Sequence, residues 1–228
     1  MKSALKIHLF IVLMIVAICS ANAQTYRLEV GYDSPLRTGT GASSTYSNFT
    51  LLPVDILTAQ VAGVSTTYMK GIHVGVTSEF DLKNQFSLLT GVLYNLVYSD
   101  KVQIYPNSAS LTSISYGHFL NVPIHVTYTY PFSSTLKAFG FGGPNVNIGL
   151  FQKMDNISSV SYVPSKFSDL YKDAVLNRLN FQLGAGAGVQ WKKYQIKAGY
   201  DFGINNLNRL GNGNMRQSGW YVTLGVNL

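Results

Sequence analysis

The chain has 228 residues, 46% of them hydrophobic and 12% charged, with a formal net charge of +7 and a single cysteine. One cysteine excludes a disulfide framework and a thiolate metal cluster, and the surplus of Lys and Arg is scattered over turns and loops, which excludes a nucleic-acid surface. No apolar run beyond the N-terminus reaches the roughly 20 residues a spanning helix needs, so a mature chain in a membrane would have to cross it as strands.

The N-terminus carries Lys2 and Lys6, an apolar run from Ile7 to Ile18, and then Ala21-Asn22-Ala23. Positive start, short greasy core and small-x-small end make a secretory signal peptide, cleaved before Gln24. Residues 1–23 are therefore expected to be removed, together with Cys19, leaving residues 24–228 as one domain. Lipid attachment at Cys19 is the rival reading, and the bulky Ile18 before it argues against that.

Beyond the signal the chain reads as strands, with apolar and polar side chains alternating. Tyr26, Leu28, Val30 and Tyr32 alternate with Arg27, Glu29, Gly31 and Asp33 in a first strand. Ser34 to Met69, rich in Ser, Thr and Gly, reads as a loop. A second strand sets Ile72, Val74, Val76, Phe80 and Leu82 against His73, Gly75, Thr77, Glu79 and Asp81, and a tight turn follows at Lys83-Asn84. The third, from Phe86 to Tyr98, is blurred by Leu89, Leu93 and Val97 on its polar row. Ser99 to Gly117 reads as a second loop. The fourth strand runs from Leu120 to Tyr130, where Pro123 removes a ladder donor and predicts a bulge. The fifth, Leu136 to Leu150, has Phe139 and Phe141 on its polar row, so a bulge near Gly142-Gly143-Pro144 is expected to switch its faces. Phe151 to Arg178 reads as a third long loop, in which Phe167, Leu170, Tyr171, Ala174 and Val175 have helical spacing after a cap at Ser165.

The clearest signal spans Leu179 to Leu207. Leu179, Phe181, Leu183, Ala185, Ala187, Val189 and Trp191 form one row against Asn180, Gln182, Gly184, Gly186, Gly188 and Gln190. After Lys192-Lys193, Tyr194, Ile196, Ala198, Tyr200, Phe202 and Ile204 alternate with Gln195, Lys197, Gly199, Asp201, Gly203 and Asn205. Asn208 to Arg216 is a fourth loop, and Trp220, Val222, Leu224, Val226 and Leu228 form the apolar row of an eighth strand.

Eight strands joined by three short and four longer connections predict an all-β, eight-stranded antiparallel up-and-down barrel. Alternation by itself fits both a transmembrane barrel and a soluble lipocalin-like carrier of an apolar ligand. Three features choose the first. Arg27, Glu29, Glu79, Lys137, Lys197 and Asp201 all share the row of Gly, Asn and Gln, as they must where a lipid-facing Lys would cost roughly 2–4 kcal/mol. Aromatics gather at strand ends: Phe80, Phe86, Tyr130, Phe132, Trp191 and Tyr194 beside the short turns, and Tyr94, Tyr98, Phe202 and Trp220 toward the long loops. Short turns at one end and long loops at the other are the asymmetry expected of outer-membrane barrels. A glycine row such as Gly184, Gly186 and Gly188 suits a crowded interior, and an eight-stranded interior is just wide enough for side chains to fill. Paired charges and a closed lumen follow.

His118-Phe119-Leu120-Asn121-Val122-Pro123-Ile124, the segment Phe139 to Leu150, Asn180-Phe181-Gln182-Leu183-Gly184-Ala185-Gly186 and Tyr200-Asp201-Phe202-Gly203-Ile204-Asn205-Asn206 resemble the PorT-like outer-membrane β-barrel proteins of the Bacteroidota. Gly71-Ile72-His73-Val74-Gly75 and Phe86-Ser87-Leu88 agree, so the resemblance covers essentially the whole mature chain. Gly91, Asn180 and Gly199 stand where that family often has an acidic residue, Asp and Arg, so part of its interior charge network is missing. The resemblance implies a barrel in the cell outer membrane, with a link to secretion and gliding machinery through the founding member.

His73 and His125 fall on inward rows, with Glu79 sharing that side. A buried metal or a catalytic dyad, as in a lipid-modifying barrel enzyme, and a hydrogen-bonded interior histidine all fit, and the last is the commoner use of the residue. His118 borders a loop and reads as solvated. Gly184-x-Gly186-x-Gly188 lacks the strand-turn-helix context of a phosphate loop. We therefore assign no catalytic, cofactor-binding or metal-binding residue and no cofactor. The expected partners are outer-membrane lipid and a protein at the extracellular loops or periplasmic rim, with Ser34–Met69 and Phe151–Arg178 as contact surfaces, and the role is structural or interactive.

Overall fold

The computed structural model describes residues 25–40, 65–104, 110–158, 165–167, 169–209 and 213–228. The signal segment 1–23 and its cleavage point lie outside the described residues. Among the described residues ten strands form one antiparallel sheet: β1 (Thr25–Thr40), β2 (Ser65–Tyr68), β3 (Lys70–Asp81), β4 (Phe86–Ile104), β5 (Ser110–Pro131), β6 (Leu136–Ser158), β7 (Ser165–Phe167), β8 (Leu179–Trp191), β9 (Tyr194–Gly203) and β10 (Asn214–Asn227). Eight of them (β1, β3, β4, β5, β6, β8, β9 and β10) follow one another around a ring, and β10 closes it by pairing with β1 from Arg27↔Asn227 to Thr40↔Asn214. Closure leaves no free edge, which is what a sheet needs in hydrocarbon, where no water is present to bond an unpaired backbone group. The expected up-and-down barrel is the fold.

The short connections, Leu82–Gln85, Phe132–Thr135 and Lys192–Lys193, lie at one rim and are laced together there. Thr129 N donates to Gln85 O, Lys192 N to Thr135 O, Asn227 N to Lys193 O and Leu228 N to Tyr26 O. At the opposite rim the strands run on. β4, β5 and β6 have 19, 22 and 23 residues, about twice the 9–11 that cross a bilayer, so this side of the barrel projects well beyond the membrane.

The alternation resolves into an outside and an inside. Ile196 and Phe202 are 51% and 58% exposed, while Lys197 and Asp201 are 6% and 7% exposed; the greasy row faces out and the polar row fills the lumen. Aromatics ring both ends of the outer surface. Phe86–Tyr128 (5.1 Å), Tyr130–Phe132 (5.1 Å) and Trp191–Tyr194 (6.5 Å) lie near the short turns. Tyr98–Tyr116 (5.1 Å), Tyr200–Phe202 (4.5 Å) and Tyr32–Trp220 (5.5 Å) lie toward the long connections. Lys192 and Lys193 lie over the rings of Trp191 and Tyr194 at 5.2 and 5.5 Å, as snorkelling cations do at a membrane interface.

Several expectations are corrected. The four loops are shorter than the sequence suggested: β1 continues to Thr40, β2 begins at Ser65, β4 runs to Ile104 and β5 starts at Ser110, β6 reaches Ser158, and β10 begins at Asn214. The parts at 41–64, 105–109, 159–164 and 210–212 lie outside the described residues. β2 and β3 are one strand interrupted at Met69, which stands opposite Pro35 and finds no N–H there to accept. No bulge forms at Pro123: the β4–β5 register is unchanged on either side of it, with Thr90↔Ile124 and Leu93↔Asn121, and only ladder bonds are lost. The register shift falls instead at His118/Phe119, against the extra residue Leu150 of β6.

Nor do the faces of β6 switch at Gly142–Pro144. Phe139 and Phe141 are each 8% exposed and share the inward row with Asn145 and Asn147. They fit because the glycines of β8 leave room: Phe139 and Phe141 lie over Gly188 and Gly186, where a Cβ would stand 2.3 Å from each ring's Cζ. The helix of the third loop is a single turn. Asp173 N bonds Asp169 O at 2.9 Å, Asp169, not Ser165, caps it through Oδ1 to Tyr171 N, and Ala174 at φ 57° ends it.

Candidate functional site

The lumen is built in layers. At the short-turn rim an open vestibule of about 430 Å³ is lined by residues that include Arg27, Glu79, Lys137 and Gln190. Above it Arg27 Nη2 donates to Glu79 Oε2 at 2.8 Å and Arg27 Nε to Asn227 Oδ1 at 2.7 Å, while Ser87 Oγ also donates to Glu79. Lys197 Nζ reaches across the interior to both oxygens of Glu29, at 2.8 and 2.9 Å, and Thr77 Oγ1 adds a third donor at 3.0 Å. Glu29 is fully buried, so this pair has left water and depends on those contacts to offset its desolvation. Arg27, Glu29, Glu79 and Lys197 thus pair with one another as the sequence pattern implied, whereas the inward Asp201 and Arg37 bond neutral amides.

Mid-lumen, His73 bonds Asp33 Oδ1 through Nδ1 at 2.8 Å and Thr223 Oγ1 through Nε2 at 3.0 Å. His73 is therefore tied to Asp33 and not to Glu79, since β3 carries Glu79 three inward positions beyond His73 toward the other rim. The connectivity Asp33–His73–Thr223 is that of an acid, a base and a hydroxyl. Its members are 8%, 2% and 1% exposed, around a cavity of about 60 Å³, which is room for a few waters and far below the 300 Å³ or more of a substrate pocket. His125 stacks on Phe141 at 5.3 Å with 19° between planes, 3% exposed and separate from His73's bonds. The histidines are thus not brought together as a dyad. His118 is not loop-borne: it lies in β5 on the outer face, bonded to Tyr94 Oη at 2.6 Å and beside Phe151 at 5.8 Å.

Nearer the long-connection rim Arg37 donates to Gln217 at 2.6 Å and Gln152 at 3.3 Å, and Gln152 to Ser115 at 2.9 Å. The mouth is then closed by the segment Asp169–Arg178. Leu170, Tyr171, Val175 and Leu176 pack against Met69, Val97, Phe119, Leu207 and Met215; Leu170 and Leu176 are 0% and 1% exposed. Burial on this scale contributes about 1.5–3 kcal/mol for each such side chain. The segment is fixed at its ends by Leu170 N to Gln152 O (2.8 Å), Gly149 N to Arg178 O (2.7 Å) and Asn177 N to Leu207 O (2.8 Å). The Asp169–Arg178 part of the expected contact surface Phe151–Arg178 is thus folded inward as a plug. Sequence reasoning placed Asp33, Asn95, Asn145, Gln152, Gln217 and Thr223 on inward rows or passed over them; their partners sit across the lumen, a distance no local pattern encodes.

The family described as outer membrane protein beta-barrel domain matches residues 22–209 of this chain. Similar solved structures include the attachment invasion locus protein Ail of Yersinia pestis, at 12% identity, covering 90% of this chain and 98% of that one with a TM-score of 0.35. Neisserial surface protein A is 12% identical over 89% and 97% of the two chains with a TM-score of 0.36. The translocator domain of the autotransporter NalP from Neisseria meningitidis is 10% identical over 99% and 96%, with a TM-score of 0.41. The sequence matches no curated protein. With a closed ring, an outward apolar belt between two aromatic girdles and a family match over most of its length, the chain belongs to the outer membrane protein β-barrel domain family and resides in the outer membrane.

Proposed function

We propose that this protein is a non-enzymatic outer-membrane barrel that works by presenting its long-connection rim to a protein partner, as a PorT-like protein of the Bacteroidota linked to secretion machinery. Residues 24–228 act as the mature domain after loss of residues 1–23. The observation that carries this reading is the plug: Leu170 and Leu176 close a lumen already filled by ion pairs. A barrel whose lumen is filled in this way among the described residues acts through its surfaces. A soluble carrier would need an apolar interior, and a lipid-modifying enzyme would need a path to His73; a polar lumen and buried histidines support neither.

The test replaces Lys172 or Asp173, exposed on the plug's outer side, with a photo-crosslinking residue in living cells. A discrete protein adduct is expected there and not from Leu82 at the other rim. Absence of any adduct from the long-connection rim would overturn the partner reading. Deletion of the chain should retain secreted proteins inside the cell, and an unchanged secreted fraction would remove the secretion link. His73→Ala should leave the lipid A profile unaltered; a changed profile would instead favour an enzyme.

A further inference from the structure

We infer that the mid-lumen cavity holds one hard monovalent cation, of the sodium or potassium kind, on oxygen donors. Asn145 Nδ2 donates to Asp201 Oδ2 and Asn95 Nδ2 to Asp33 Oδ2, each at 2.9 Å. A carboxylate only accepts, so these bonds fix which way both amides point and leave their carbonyl oxygens turned from the carboxylates. Asn145 Oδ1 and Asn95 Oδ1 have no hydrogen-bond partner among the described residues, and neither do Asn121 Oδ1 and Asp201 Oδ1. All four residues line the same cavity of about 60 Å³. Asn145, Asn95 and Asp201 are 1%, 7% and 7% exposed, so bulk water does not serve these atoms. His125 Nε2, also unpartnered and lining the cavity, is the fifth such atom.

Four unpartnered acceptor oxygens belong to residues that line a space with room for an ion and a water or two. Lys197 lines it too, but its ammonium is held by both oxygens of Glu29, so the free oxygens call for a guest with positive character. Charge count selects the guest. Glu29 is matched by Lys197 and Glu79 by Arg27, and Asp33 is held by hydrogen bonds to both His73 and Asn95. Asp201 has only the neutral Asn145 amide as hydrogen-bond partner. A carboxylate with no ion-pair partner among the described residues, set among neutral carbonyls, suits a single positive charge, whereas calcium takes six to eight oxygens that include several carboxylates. Among the described residues no group of three or more His, Cys, Asp and Glu could hold a metal ion, which removes the donor set a transition metal selects. The bound cation would neutralise Asp201 and tie β4, β5, β6 and β9 together across the lumen.

Val97 and Phe119, on which the plug is seated, also line the cavity, so the cation is supplied while the barrel closes. The protein is therefore refolded into lipid vesicles in equal concentrations of sodium, potassium or N-methyl-D-glucamine chloride, and its urea unfolding midpoint is read in each. The midpoint should be higher in sodium or potassium than in the bulky organic cation. Asp201→Asn, which keeps an acceptor for Asn145 but turns a donor into the cavity, should erase that difference. Equal midpoints in all three salts, meaning that water alone fills the space, would overturn the inference, and so would an Asp201→Asn barrel that keeps the full difference. A measurement free of any variant is diffraction from crystals grown in thallium(I), a heavy stand-in for potassium. An anomalous peak between Asn145 and Asp201 is expected, and its absence would equally refute the site.

Discussion

Gly186 and Gly140 sit in neighbouring strands, one pair apart in the β6–β8 ladder, yet face opposite media. A Cβ at Gly186 would stand 2.3 Å from the Ala198 carbonyl oxygen and from Phe141 Cζ, whereas a Cβ at Gly140 meets nothing closer than 3.9 Å. Gly186→Ala should therefore cost about 1–3 kcal/mol through overpacking, and Gly140→Ala should stay within about 0.5 kcal/mol. Urea midpoints in lipid vesicles measure both, and equal losses would show that the lumen is not crowded at Phe141. The charge pair makes a second case. Lys197→Met leaves Glu29 buried without its main partner and should cost about 3–5 kcal/mol. Adding Glu29→Gln should recover a large part of that loss. Simple additivity of the two changes would mean that the groups do not interact. At this scale the sequence revealed which residues face inward, because a charge in hydrocarbon is so unfavourable that the rows must segregate. It did not reveal that Lys197 meets Glu29, because 168 residues separate them and their meeting depends on how the ring closes.

Strands β8 and β9 were legible almost residue by residue, since one of their faces meets only lipid and the alternation has no exceptions. β6 was harder. Phe139 and Phe141 violate the pattern, and the cause is the glycine row of a different strand, which no reading of β6 alone can supply. The strand ends were hidden for another reason. Beyond the bilayer the outer face no longer has to be apolar, so the alternation stops while backbone pairing continues to Ile104↔Ser110 and Leu111↔Ser158. Polar, Ser-rich strands then look like loops. The lipid-facing assignment of β9 makes a depth-dependent prediction. Ala198 lies midway between the girdle residues Tyr194 and Phe202, and is exposed on the outer surface. Ala198→Arg should destabilise the barrel by about 2–4 kcal/mol, and Trp191→Arg, at the interface, by no more than about 1 kcal/mol from the charge itself. The comparison is made on vesicle-refolded protein, and the reverse order would displace the belt along the strands.

Taken whole, the molecule is closed twice, by different physics. The mid-lumen is filled by buried ion pairs and amides, a polar closure that the inward charges announced. The mouth is filled by Leu170, Tyr171, Val175 and Leu176 on a single helical turn, an apolar closure whose spacing was visible but whose length was not, because the left-handed Ala174 stops the turn. The two closures are independent, since the apolar cluster shares no residue with the Glu29–Lys197 and Asp33–His73–Thr223 bonds. Protein inserted into planar lipid bilayers should therefore show no steady conductance. The double variant Leu170→Asp, Leu176→Asp introduces unpaired charge into the plug and should expel it, raising trypsin cleavage after Arg178 in intact cells. That variant should still be electrically silent, because Arg27, Glu29 and Lys197 continue to fill the ring below. Steady current through the wild type would refute the filled lumen, and current through the plug variant alone would make Leu170–Leu176 the sole barrier and the ion pairs beneath it a permeable lining.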